Sequence, residues 1–202
     1  MCAAQSYRKL WTRFLTQKSS PSHKIHSLKN KPRTAEPFRG RILGIDPSLR
    51  GTGLAVIDVQ HRDSIELIFT QTVKLSAKEP LLNCVYKIFS AIQKVIEHYQ
   101  PKVCAAEQTI YVQNFQTAQI MGIARGVALA AIAIQHLQVF EYAPLRIKQA
   151  ICGYGRASKA QVSKMVQAIL KIYINVGLDE TDAAAAAICC FFTESSSLAE
   201  IE

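Results

Sequence analysis

From Arg41 onward the apolar positions alternate, run together or recur at helical spacing, and they divide the chain into strands and helices. "RILGIDPSLR" holds a first apolar strand and "GTGLAVIDVQ" a second. The tight connection between them, with its Gly-Thr-Gly, predicts a hairpin. "SIELIFTQTVKL" alternates as a third strand. From Pro80 to Tyr99, Leu81, Val85, Ile88, Ile92, Val95 and Ile96 fall on one helical face, and Pro101 ends that helix. "KVCAAEQ" reads as a short buried fourth strand, Thr117–Gln135 as a second helix and "QVFEYAP" as a fifth strand. Pro144–Cys152 and Ser158–Tyr173 follow as helices joined by "GYGRA", and Thr181–Phe192 as a final Ala-rich helix. Three meandering strands followed by alternating strands and helices predict an α/β fold. Its mixed five-stranded sheet has three antiparallel strands, then parallel ones, flanked by helices.

Composition sharpens the boundaries. Residues 1–41 carry ten Lys or Arg against Glu36 alone, whereas residues 42–202 carry 14 basic and 14 acidic residues. The formal charge of +9 thus belongs to residues 1–41, and residues 42–202 are neutral overall. Residues 1–40 are also rich in Ser, Thr and Pro and read as a disordered extension. Three roles compete for it: a basic arm touching nucleic acid, an organelle transit peptide, or an unstructured or misassigned start. The domain is expected over 41–195, with a short tail over 196–202. Of six cysteines none forms a C-x-x-C pair, which favours buried free thiols over a zinc site or a disulfide scaffold. No membrane span is expected. The apolar run from Ile120 to Ile134 is interrupted by Arg125 and reads as a buried helix.

Four carboxylates carry the candidate chemistry. Asp46 and Glu107 interrupt otherwise apolar strands, and Asp179 and Asp182 share one face at the start of the last helix. Each has a plain explanation alone: a turn before Pro47, a solvated strand end, an N-cap at Asp179 with Asp182 favouring the helix dipole. Together they would repel one another strongly, and a buried carboxylate is costly without a cation or donors. Two divalent ions about 4 Å apart would remove that penalty and support phosphodiester hydrolysis. The hairpin also fits the phosphate-binding turn of actin-like ATPases. That fold needs a second such domain, and no second copy is present.

The stretches "ILGIDPSLRGTG", "AAEQTIYVQN", "MGIARGVAL", "VFEYAPLRIKQAICGYGRASKAQVSKMV" and "LDETDAAAAAI", in this order, resemble RuvC-type Holliday junction resolvases of the RNase H-like superfamily. The resemblance spans about residues 41–192. It implies metal-binding catalytic positions at Asp46, Glu107, Asp179 and Asp182, and DNA-facing basic positions at Lys148 and Lys159. It further implies two Mg²⁺ per subunit, with Mn²⁺ as a substitute, and a homodimer that nicks opposed strands of a four-way DNA junction. The products would be 5′-phosphate and 3′-hydroxyl ends, formed in recombination and repair. A RuvA–RuvB-type branch-migration partner and a cytoplasmic, DNA-associated location are implied as well, or an organelle matrix if residues 1–40 are a transit peptide.

The residues support this reading. Residues 141–175 carry Arg146, Lys148, Arg156, Lys159, Lys164 and Lys171 against Glu141, a basic face suited to a phosphate backbone. "GYGRASK" offers backbone N–H groups at a helix start. Gly122 and Gly126, four apart, suggest close helix approach, either onto the chain's own sheet or, by the resemblance, across the dimer. Ser48, Ile110 and Gln113 depart from the family pattern, and Tyr111 becomes the candidate for base stacking. The alternatives are a related nuclease acting on other branched DNA or RNA, and a non-catalytic junction-binding protein.

Overall fold

The computed structural model describes residues 38–61, 64–108, 114–172 and 177–198, all within one compact unit that spans Ala35–Glu202. The strands are β1 (Gly40–Asp46), β2 (Gly51–His61), β3 (Ser64–Lys74), β4 (Val103–Glu107) and β5 (Gln138–Tyr142). The helices are α1 (Leu81–Tyr99), α2 (Phe115–Ile134), α3 (Pro144–Cys152), α4 (Lys159–Leu170) and α5 (Leu178–Leu198). The element order is the expected one. The sheet runs β3-β2-β1-β4-β5, with β1, β2 and β3 antiparallel and β1, β4 and β5 parallel.

Each central strand is buried on both sides, which is why β1, β2 and β4 read as nearly continuous apolar runs. One face packs Ile42, Ala55, Ile57, Val103 and Ala105 against α3, α4 and α5. The other packs Leu43, Ile45, Leu54, Val56 and Cys104 against α1 and α2. In α5 the run Ala183–Ala187 is wholly buried. Small side chains there let the helix backbone lie close to the sheet. The cysteines of the described residues are free thiols, and Cys84, Cys104, Cys189 and Cys190 are buried.

Several expectations are corrected. Gly51, Thr52 and Gly53 are not a turn; they open β2, and Pro47–Arg50 make the connection. The core begins before residue 41: Phe38 is buried, and β1 starts at Gly40. Helix α5 begins at Leu178, so Asp179 lies inside its first turn rather than capping it, and it continues to Leu198, beyond the boundary expected at 195. Helix α2 continues straight through Arg125, whose guanidinium grips Glu141 of β5 with two bonds of 2.8 and 2.7 Å. At 20 residues, α2 is long and apolar enough to cross a membrane by length and composition. It is not the buried helix expected: only Ala124, Ala128, Ala131 and Ile132 are fully covered.

Candidate active site

The period of two along a strand decides where the carboxylates point. In β1, Ile42 and Gly44 face α5 while Leu43 and Ile45 face α1 and α2, so Asp46 falls on the α5 side. In β4, Val103 and Ala105 face the same way, and Glu107 follows them. Ile45 pairs with Ala106, which sets Asp46 beside Glu107. Asp46 also pairs with Gly53, Gly53 with Thr72, and Glu107 with Tyr142. One rung therefore crosses the sheet as Thr72, Gly53, Asp46, Glu107 and Tyr142.

The start of α5 lies over this rung. A Cβ on Gly44 would overlap the carbonyl oxygen of Ala183, and one on Gly53 that of Asp179. A Cβ on Gly51 would come 2.9 Å from the Asp179 carboxylate. These glycines admit the helix to the sheet, and the helix brings Asp179 and Asp182 toward the strand carboxylates. Thr52, fully buried, fixes the preceding connection: its hydroxyl donates to the Ser48 carbonyl at 2.5 Å and accepts from the Ser48 N–H at 3.3 Å. Only the Ser48 backbone takes part, so its departure from the family pattern leaves these bonds intact.

Electrostatics bind the four acids into one group. Burial pushes the Asp46 carboxyl up to about 7, and the negative charges of Glu107, Asp182 and Asp179 push the same way. Glu107 is raised as well, by burial first and Asp182 second, against the pull of Lys159 and Lys148. Lys159 Nζ sits 3.1 Å from Asp182 Oδ2, and that bond, with the fields of Asp46 and Glu107, strengthens its hold on its proton. Lys159 opens α4, where Ser158 and Gln161 cap each other: Ser158 Oγ accepts from the Gln161 N–H at 3.2 Å, and Gln161 Oε1 accepts from the Ser158 N–H at 2.9 Å. Those two N–H groups are spent inside the cap, which weakens the expectation that this helix start binds phosphate.

Glu107, Lys148, Lys159 and Asp182 line one cleft of about 60 Å³, floored by Ile147, Val162 and Ala185. The cleft holds Glu107, Asp182 and both lysines, and Asp46 lies within reach of the charges of Glu107, Asp182 and Asp179. It does not bring Arg156 to the cleft; that side chain is exposed in the α3–α4 connection. Tyr111, Ile110 and Gln113 lie outside the described residues. Glu141 does not offset the basic segment, because it is bound to Arg125 on the opposite face of the sheet. A wider concavity of about 1150 Å³ lies between α1 and edge strand β3 and contains none of the four acids.

The donors are all carboxylate oxygens, the set a hard divalent cation prefers. Among the described residues no three His, Cys, Asp or Glu are drawn tightly enough to hold an ion as they stand. Burial first, and the neighbouring carboxylates after it, raise Asp46 and Glu107, and the Lys159 ammonium already answers part of the negative charge. The residues fit a divalent metal.

A family model, crossover junction endodeoxyribonuclease RuvC, matches residues 42–190. The chain belongs to this RuvC family. A RuvC from Halorhodospira halophila is 42% identical over 149 residues, covering 74% of this chain and 88% of its own. One from Koribacter versatilis is 38% identical over 157 residues, covering 77% and 95%. The structure of T. thermophilus RuvC in complex with Holliday junction substrate superposes with a TM-score of 0.74 at 29% identity, over 79% of this chain and 97% of that one. The yeast mitochondrial Holliday junction resolvase Ydc2, 13% identical with a TM-score of 0.56, shares the fold.

Within this RuvC-family chain the sequence reading missed the residues that seat α5. Gly44 and Gly53 were signalled by their spacing: each lies on the acid-bearing face, Gly44 two residues before Asp46 and Gly53 opposite it. Glu180 and Thr72 left no such signal, for they are partners across 108 positions, joined at 3.1 Å.

Proposed function

We propose that this chain is a divalent-metal-dependent endonuclease that resolves four-way DNA junctions by paired nicks in opposed strands, in recombination and repair. The observation that carries the reading is the union of four carboxylates, with Asp46 pushed to about 7, beside Lys148 and Lys159 in a RuvC-family fold. Asp46, Glu107, Asp179 and Asp182 would hold two Mg²⁺, or Mn²⁺ in their place. Bound there, such a pair supplies an activated water and neutralises the leaving oxygen, giving 5′-phosphate and 3′-hydroxyl ends. Lys148 and Lys159 approach the scissile phosphate from the side of α3 and α4 and offset the charge that develops on it. Lys159, 3.1 Å from Asp182, would be free to pair with phosphate once the carboxylates held their ions. Two copies related by a two-fold axis match the two-fold symmetry of the junction. A RuvA–RuvB-type partner and a cytoplasmic location, or an organelle matrix if residues 1–40 serve as a transit peptide, belong to the same proposal.

Asp46→Asn tests it. The variant should bind a four-way junction within about threefold of wild type while cleavage in Mg²⁺ falls by roughly a thousandfold or more, a loss of about 4 kcal/mol of transition-state stabilisation. Full cleavage by Asp46→Asn would sink the assignment. Parallel assays on linear duplex and RNA–DNA hybrid separate junction resolution from a related nuclease activity.

A further inference from the structure

The motif "LDETD" contains a third acid, Glu180, that the cleavage reading does not use. Both of its carboxylate oxygens are engaged. Oε2 accepts the Gly177 N–H at 2.8 Å, closing the start of α5, and Oε1 accepts the Thr72 hydroxyl at 3.1 Å. Thr72 sits on β3, on the same rung as Gly53 and Asp46. Asp179 precedes Glu180 directly, and Asp182 follows it by two. The first turn of α5 lies directly over the rung that carries Asp46, where a Cβ on Gly53 would overlap the Asp179 carbonyl, so any shift of that turn moves Asp179 and Asp182 against the sheet. A helix start frays unless something holds it.

We propose that the Thr72–Glu180 bond is a clamp that holds the first turn of α5 in register with the sheet, and that Glu180 and Thr72 are positioning residues for Asp179 and Asp182. Gly177 caps the helix through Oε2, and Thr72 locks its rotation and height through Oε1. The two oxygens thus divide helix stability from site geometry. Removing the hydroxyl leaves the cap in place and frees the turn to shift on the sheet. This inference rests on the junction-cleavage reading above.

Thr72→Val removes the donor at nearly constant shape, and Thr72→Ser keeps it. Each is compared with wild type by Mn²⁺ calorimetry, the Mg²⁺ dependence of junction cleavage, and amide exchange along α5. Thr72→Val should weaken Mn²⁺ binding and raise the half-activating Mg²⁺ concentration by about tenfold, the usual cost of losing a partner that orients metal ligands. Amide exchange should quicken in the first turn of α5 and not in its buried Ala run, and metal-free junction binding should be unchanged. Thr72→Ser should restore the wild-type values within about twofold, which a role in bulk packing alone would not produce. A Thr72→Val chain equal to wild type in Mn²⁺ affinity and Mg²⁺ dependence would overturn the clamp alone. A wild-type chain that takes up no Mn²⁺ would overturn the cleavage reading and the clamp with it.

Discussion

Asp46 is held in a protonation state that the proposed metal site would have to reverse. An ordinary aspartate titrates near 3.8; Asp46, desolvated and facing three other acids, titrates near 7. In the fold it keeps a proton that the unfolded chain would release. Without metal this favours folding at low pH, fully so below 3.8, and the advantage is lost as pH rises through about 7. The shift is worth up to about 4 kcal/mol. In chelating buffer, the stability of wild type minus that of Asp46→Asn should therefore fall between pH 5 and pH 8, leaving the variant the more stable of the two at pH 8. Urea unfolding at several pH values measures this, and a flat difference would contradict the buried, repelled carboxylate. Metal binding has the opposite sign. The ion displaces the proton, so Mn²⁺ affinity should rise with pH until about 7 and then level off. Calorimetry in buffers of different ionisation heat would detect the proton released. Glu107, raised for the same reasons, works in the same direction.

At the scale of elements, the site depends on how closely α5 approaches the sheet. Gly44→Ala and Gly53→Ala each place a methyl group against α5 backbone, which has no side-chain freedom with which to yield. Each should cost about 1–3 kcal/mol in urea unfolding, the range for overpacked cores. Each should also lower cleavage by more than it lowers the folded fraction, because the helix that shifts carries Asp179 and Asp182. Unchanged cleavage would mean that α5 is not seated as described. The same contact shows why some of the site was legible in the sequence and some was not. Asp46 and Glu107 stood out because a charge in an apolar strand is costly enough to need a reason. The strands followed from apolar runs and alternation, and the helices from period 3.6. Glycine was ambiguous: a tight turn and a close helix both require it, and the sequence reading chose the turn for Gly51 and Gly53. Phe38 was hidden by its basic, Pro-containing surroundings, although it packs beneath the start of β1 and beside Lys102. Glu180 could not be read at all, because its partner Thr72 is distant in sequence and no local pattern marks a tether.

At the scale of the whole molecule, charge and apolar surface are set apart from the chemistry. Residues 1–34 hold eight Lys or Arg and no acid, while the compact unit begins at Ala35. A chain starting at Ala35 keeps Phe38 in the core and should lose only the basic extension. If that extension touches DNA, each phosphate contact adds about 0.9 to the slope of log affinity against log salt, so full-length protein should be the more salt-sensitive in junction binding. Equal slopes would exclude the arm from the complex. Helix α2 offers the second whole-molecule feature. Its covered side rests on α1, where Gln93 Nε2 donates to the Ala131 carbonyl at 2.6 Å, and its other side leaves Gly122, Gly126, Ala130 and Ala133 exposed. A Cβ on Gly122 or Gly126 would meet nothing within 4 Å, so the fold of a single chain does not require glycine there. Glycine within a helix costs about 1 kcal/mol relative to alanine. Close crossing of two α2 helices in the proposed homodimer supplies a reason to bear that cost. Gly126→Leu should therefore separate folding from assembly. The monomer should be as stable as wild type or more so, while sedimentation shows the dimer weakened by about tenfold or more, in line with the loss of one well-packed contact. Junction cleavage should shift from paired nicks to single ones, because each copy now acts alone. A Gly126→Leu chain that sediments as a full dimer would place the two-fold interface elsewhere on the molecule.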